Sequence, residues 1–344
     1  MEHLIEYAGF LAKTVTVVIA IIVVLSMAAA LRMRGREQGS LQVSKLNDFY
    51  DDLRDELKEQ VVDKAELKAE RKAEAKAEKA RKKAAKKGEV DEVKSRTYVL
   101  DFDGDIKASA VDQLRHEVSA VLSLARSEDE IVLRLESPGG MVHGYGLAAS
   151  QLARIRSAGV PLTICVDKVA ASGGYMMACL GQRILAAPFA MIGSIGVVAQ
   201  VPNLHRLLKK HDIDYDVFTA GEFKRTVTVF GENNDKGKEK FQQDLEDTHE
   251  QFKSFISQYR PQVKIDQVAT GEVWLGQVAV SQQLVDEVMT SDEYLTRRAK
   301  EGDVFQLRYV EKKSLQERFG LGAAVALDRF MLNWVSRLQQ RYWS

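Results

Sequence analysis

Three regimes of apolar and polar residues follow one another along the chain. Residues 14–31 run eighteen positions without a charge and are rich in Val, Ile and Ala, long enough to begin crossing a bilayer as a helix. Residues 64–87 lose apolar periodicity and consist almost entirely of Lys, Arg, Glu and Ala. From Thr97 onward, short apolar runs alternate with amphipathic stretches. Residues 98–102, 131–135 and 161–166 read as strands; Val111, Leu114, Val118, Val121 and Leu122 mark the inner face of one helix, and residues 147–155, closed by Gly159, predict another. This alternation predicts an α/β fold of parallel βαβ units whose site lies in the loops after the strands' carboxyl ends. Residues 184–201 are also apolar, but Pro188, Gly193 and Gly196 interrupt them, which predicts a buried strand and loop rather than a second crossing.

Composition adds to this picture in a few places. The 344 residues suffice for one domain of ordinary size with extensions. Lys+Arg and Asp+Glu both number 49, so charge cancels and no nucleic-acid partner is expected from it. Within residues 64–87, eleven basic residues face four Glu, 11 − 4 = +7. Lys64, Lys68, Lys72 and Lys76 fall in one i,i+4 stripe and Glu66, Glu70, Glu74 and Glu78 in another, so neighbours mostly repel. The segment reads as a solvated, partly helical spacer, able to settle on anionic head groups beside the anchor. Cys165 and Cys179 sit in apolar surroundings and read as small buried hydrophobes; no metal or cofactor is expected. A cleaved signal peptide fits the N-terminus less well than a retained anchor, because the apolar run is long and only Lys13 precedes it as a basic residue apart from His3.

The division that results places a transmembrane anchor at 1–35, a charged helical spacer at 36–95, the α/β domain at 96–300 and a C-terminal extension at 301–344. Phe330, Met331, Trp334, Val335, Leu338 and Tyr342 give the extension an amphipathic stripe suited to a second protomer or a membrane surface. Removal of residues 1–90 is expected to leave a soluble, active domain.

Two loops are rich in Gly where a strand gives way to a helix: Ser137-Pro138-Gly139-Gly140 and Ala170-Ala171-Ser172-Gly173-Gly174-Tyr175. Gly pairs let backbone approach a ligand and turn N–H groups outward, so Ser172 at a helix start can present a hydroxyl beside donors for a developing oxyanion. Neither loop has the Walker spacing or the dinucleotide fingerprint. A serine nucleophile needs a base. Of six histidines only His143 lies beside a Gly-rich loop, and no third triad member can be assigned to it. Lysine is the other option, since burial favours the neutral amine. Lys168 lies near Ser172, and Lys224 follows a strand-like stretch at 215–219; the residues alone do not choose between them.

The run Val169-Ala170-Ala171-Ser172-Gly173-Gly174-Tyr175, preceded by Ser137-Pro138-Gly139-Gly140, resembles the signal peptide peptidase (SppA) family of serine proteases. The resemblance spans about residues 97–289 and implies a ClpP/crotonase-like fold. It implies that Ser172 is the nucleophile and that Lys224, in Gly221-Glu222-Phe223-Lys224, is its base, with Phe223, Val227 and Val229 expected to bury the amine. Ser194, in Ile192-Gly193-Ser194-Ile195-Gly196, takes the role of orienting the lysine. Gly139 or Gly140, together with the N–H of Gly173, takes the oxyanion-hole roles. In the closing motif Gln283 stands where a Gly before Leu-Val-Asp is common, which puts the shape of that turn in question.

The implied activity is peptide hydrolysis through an acyl enzyme, on peptide or membrane-protein substrates with small or apolar residues near the cut. A homo-oligomer is expected, since related peptidases build the cleft at subunit contacts. The implied location is a bacterial inner membrane, crossed once. Arg32, Arg34 and Arg36 place the domain in the cytoplasm by the positive-inside rule, whereas family precedent places it in the periplasm, so the face stays open. Two other classes compete: a crotonase-like acyl-CoA enzyme, which needs neither Ser172 nor Lys224, and a non-catalytic membrane scaffold.

Overall fold

A computed structural model describes residues 39–69, 72–73, 76 and 95–311. The expected anchor, the rest of the charged segment and the C-terminal amphipathic stripe lie outside the described residues. Residues 42–308 form one compact unit. Its main sheet has seven strands in the spatial order β1 (Ser40–Lys45), β10 (Asp303–Val310), β2 (Arg96–Asp103), β3 (Glu130–Glu136), β4 (Leu162–Val166), β6 (Arg183–Ala186) and β9 (Glu287–Val288). From β10 to β9 every neighbouring pair is parallel. A second sheet holds β5 (Val169–Ala171), β7 (Met191–Gly193) and β8 (Val273–Leu275).

Parallel strands need crossovers, and amphipathic helices supply them. The helices are α1 (Leu46–Val61), α2 (Val111–Leu122), α3 (Val142–Ser157), α4 (Gly173–Ala178), α5 (Asp235–Tyr259) and α6 (Ser291–Glu301), joined by shorter helical turns such as His205–Lys210. Alternate residues of the central strands enter different cores. Tyr98, Leu100, Phe102, Ile131, Leu133, Leu135, Leu162 and Ile164 pack with Leu114 and Val118 of α2 and Leu152 and Ile155 of α3. Val99, Val132, Cys165 and Leu185 point to the other face, with Tyr294 and Leu295 of α6, Met289 and Val304. Because both faces are covered, apolar residues stand at consecutive positions, as in Tyr98-Val99-Leu100 and Ile131-Val132-Leu133. Each such leucine or isoleucine contributes about 1.5–3 kcal/mol through burial. Cys165 and Cys179 are free and buried, and burial pushes both thiols up, as suits packing residues.

The strands and helices expected from periodicity are present, with a longer α3, which begins at Val142; α5 begins at Asp235. Asn234 caps α5, its side chain accepting from Gly237 N at 2.7 Å. One expectation is corrected. Residues 215–219 form no strand; they are exposed and pair with no neighbouring strand. Residues 40–61, within the stretch read as a charged helical spacer, form β1 and the helix α1, and β1 lies beside β10 at the edge of the main sheet. Asn47 fastens α1, donating to the Ala299 and Gly302 carbonyls at 2.8 and 2.9 Å and accepting from Val304 N at 2.8 Å. Lys45 pairs with Asp303 at 2.8 Å.

Gln283 adopts φ +60, the left-handed conformation that favours Gly. Its carbonyl accepts from Arg260 Nη2 at 3.0 Å, and Arg260 grips Asp286 at 2.8 and 2.9 Å, so the turn is held despite its residue. Gln283→Gly is therefore expected to raise stability by about 0.5–1 kcal/mol, read as a higher urea midpoint at unchanged m-value. An unchanged or lower midpoint would contradict the strain assigned to this position.

Candidate active site

Ser172 lies between the last residue of β5 and the first of α4. Its backbone is at φ 52 and ψ −119, a conformation that L side chains rarely adopt. Such a position costs about 1–3 kcal/mol and recurs where a strand turns sharply into a helix to expose a nucleophile. Both flanks hold it there. Ser172 N donates to the Gly193 carbonyl at 2.7 Å, extending the β5–β7 ladder, and its own carbonyl accepts from Met176 N at 3.0 Å.

The Ser137-Pro138-Gly139-Gly140 loop, after β3, runs against this turn. Ser137 N donates to Val169 O at 2.8 Å, and Ala171 N donates to Ser137 O at 3.0 Å. Gly139, at φ +89, comes so close that an added β-carbon would lie 2.7 Å from Ser172 Cβ and 2.8 Å from Gly173 N. Only Gly fits there. The Gly139 N–H donates inward to Ser137 Oγ at 3.1 Å. The N–H groups of Gly140 and Gly173 have no protein acceptor among the described residues. Of the two glycines proposed for that loop's donor, Gly140 is thus the one with an uncommitted N–H.

Ser194 follows Gly193 directly, so it adjoins the carbonyl that binds Ser172 N. It too has positive φ, 49, and its N–H donates to Glu272 O at 2.6 Å. The structure therefore brings together Ser172, Gly139, Gly140, Gly173 and Ser194. No hydrogen bond among the described residues joins Lys224 to them. Lys224 lies in an irregular stretch, its side chain exposed and without a hydrogen-bond or ion-pair partner among the described residues; Phe223 beside it is 45% exposed. The burial expected from Phe223, Val227 and Val229 is not supplied within one chain, because residues 197–234 pack against little of the core. A cavity of about 430 Å³ on this stretch is lined by Tyr215, Glu222, Phe223, Arg225, Thr226 and Lys236 among others, and does not include Ser172.

The other candidate bases fare differently. Lys168 is committed to Glu136 at 2.9 and 3.1 Å, and that hydrogen bond raises its pKa, against a role as neutral base. His143 stands exposed on the first turn of α3, with no hydrogen bond to Ser172. Sequence reasoning missed Tyr145, whose buried hydroxyl lies 2.6 Å from Ser137 Oγ. Nothing in its local pattern distinguishes it from a core aromatic.

Comparison with known proteins bears on the family of the chain. Residues 2–152 match the description "Peptidase family S49 N-terminal", and residues 154–304 match "Peptidase family S49". "Probable protease SohB" of Haemophilus influenzae is 64% identical over 230 residues, 67% of this chain and 65% of the relative. The match therefore spans just under two thirds of that relative's length. "Putative protease SohB" of Buchnera aphidicola subsp. Baizongia pistaciae is 40% identical over 324 residues, 92% of this chain and 93% of the relative. "Protease 4" of Haemophilus influenzae is more distant, 25% identical over 185 residues, 52% of this chain and 30% of the relative. The family expected from the two Gly-rich loops is thus matched on both sides of Ser172, and the chain belongs to peptidase family S49.

Proposed function

We propose that this chain is a membrane-anchored serine endopeptidase of ClpP/crotonase-like fold that works through a Ser172–Lys224 dyad. The observation that carries the reading is the conformation of Ser172, strained at φ 52 and flanked by the N–H groups of Gly140 and Gly173, which have no acceptor among the described residues. Two backbone donors converging beside a forced serine suit a tetrahedral oxyanion. In the reaction, neutral Lys224 takes the Ser172 proton and Oγ attacks the peptide carbonyl. The oxyanion rests on Gly140 N–H and Gly173 N–H, and the protonated lysine then returns its proton to the leaving amine. Water, deprotonated by the Lys224 amine now neutral again, attacks the acyl carbonyl, and the lysine's proton passes to Ser172 Oγ as the acyl group leaves. Ser194 is assigned to hold the lysine toward Ser172.

Exposure of Lys224 and its surroundings in the single chain supports a homo-oligomer in which a second copy covers residues 197–234 and buries the amine. Val198, Phe218 and Phe223 are 81%, 92% and 45% exposed there, apolar surface suited to such a contact. Residues 14–31 are assigned to a single inner-membrane crossing, and the face bearing the domain stays open.

A fluorophosphonate probe tests the reading. The full chain is expected to be labelled at Ser172, and Ser172→Ala to lose both the label and peptide turnover, the latter by about 10⁴-fold or more. An unlabelled wild-type chain, or equal turnover by Ser172→Ala, would remove Ser172 from the chemistry and leave a crotonase-like enzyme or a scaffold.

A further inference from the structure

The two N–H groups assigned to the oxyanion come from different crossovers, yet one side chain touches both loops. Tyr145, on the first turn of α3, is fully buried. Its ring lies flush against Gly173: an added β-carbon there would be 2.4 Å from Tyr145 Cγ. Its hydroxyl donates to the Asp105 carbonyl at 2.8 Å and lies 2.6 Å from Ser137 Oγ.

Proton bookkeeping gives this cluster a single direction. The Asp105 carbonyl can only accept, so the phenol proton points to it. The phenol oxygen then accepts from the Ser137 hydroxyl, and Ser137 Oγ accepts from Gly139 N–H at 3.1 Å. The chain Gly139 N–H, Ser137 O–H, Tyr145 O–H, Asp105 C=O leaves no donor without an acceptor, and such a closed chain is stiff. It turns the Gly139 amide inward and leaves the next amide, Gly140 N–H, uncommitted. Gly140 is braced from the opposite side, since a β-carbon on it would be 2.1 Å from Ile106 O, and Met141 N donates to that same oxygen at 2.8 Å. Burial pushes the Tyr145 phenol up, so it keeps its proton at neutral pH.

We propose that Tyr145 is a positioning residue for hydrolysis, its ring setting the Gly173 donor and its hydroxyl, through Ser137, setting the Gly139-Gly140 donor. The inference rests on the reading of Ser172 as nucleophile. A displacement of a donor by a fraction of an ångström weakens transition-state binding while leaving the ground state alone.

Tyr145→Phe keeps the ring and removes the hydroxyl with its two links, to Ser137 and to the Asp105 carbonyl. In the full chain it is expected to lower kcat about 10- to 100-fold on a fluorogenic peptide of small apolar residues, with KM unchanged. Affinity for a peptide aldehyde, whose adduct with Ser172 carries an oxyanion, is expected to fall by a similar factor, while affinity for the cleaved product peptide does not. Ser137→Ala breaks the same chain, so the double variant should be no worse than either single. Should Tyr145→Phe fail to fold, Ser137→Ala carries the aldehyde and product comparison alone. Unchanged kcat, an equal loss of aldehyde and product affinity, or single-variant losses that multiply in the double variant would overturn the proposal. Failure of the wild-type chain to react with the fluorophosphonate would instead overturn the assignment of Ser172.

Discussion

Lys224→Arg is expected to lower kcat by about 10³-fold or more, nearly as far as Lys224→Ala. Guanidinium does not release its proton in a protein and so offers no lone pair to the Ser172 hydroxyl. KM should move little, because a base acts in the transition state rather than in substrate binding. Lys168→Ala is the control: that side chain is 72% exposed and tied to Glu136, and its loss should be mild. Steady-state kinetics on a short peptide distinguish these outcomes. Should Lys224→Arg turn over normally while Lys168→Ala or His143→Ala does not, the base lies at the residue whose loss was fatal. Because Lys224 is exposed in the single chain, turnover per chain should also fall on dilution below the assembly's dissociation range, as mass action requires. A strictly monomeric chain by light scattering with full activity would exclude the oligomeric arrangement.

Cutting the chain at residue 94 is expected to give an aggregating domain, whereas cutting at residue 38 is expected to give a soluble one. The difference lies in β1 and α1. Without them β10 becomes the edge of the main sheet, presenting a row of unpaired N–H and C=O groups to other chains. The cut also removes the Asn47 side chain that satisfies Ala299 O, Gly302 O and Val304 N. Even Asn47→Ala alone should cost about 2 kcal/mol, the scale of stranding such groups. Size-exclusion chromatography and urea unfolding of the two truncations provide the measurement. A monodisperse 95–344 fragment with the same urea midpoint as the 39–344 fragment would show that β1 and α1 are dispensable, as the charge pattern alone suggests.

What the sequence discloses here follows from what each residue is used for. Strands β2, β3 and β4 are legible because consecutive residues such as Val132 and Leu133 enter opposite cores, leaving apolar residues at successive positions. Ser172 is legible because the turn that exposes it needs glycines at its flank. β1 and α1 are not, since α1 buries no residue and docks largely through the amide of Asn47, which leaves no periodic mark. Lys224 is proposed as the base by resemblance alone, because no contact among the described residues marks it as one. Tyr145 looks like any core aromatic until the fold brings Asp105, forty residues earlier, to its hydroxyl.

The alternation of the central strands also determines where this chain can change length. Removing one residue from β3 would carry Leu133 and Leu135 to the face that holds Val132 and would break the register of both neighbours, Leu100↔Leu133 and Leu133↔Ile164. Residues 197–234 carry no strand and little buried surface, so a few residues more or less there disturb no ladder. Insertions and deletions that keep the fold are therefore confined to that stretch and to the surface turns. Variation in length can reshape the surroundings of Lys224 while the geometry around Ser172 stays fixed.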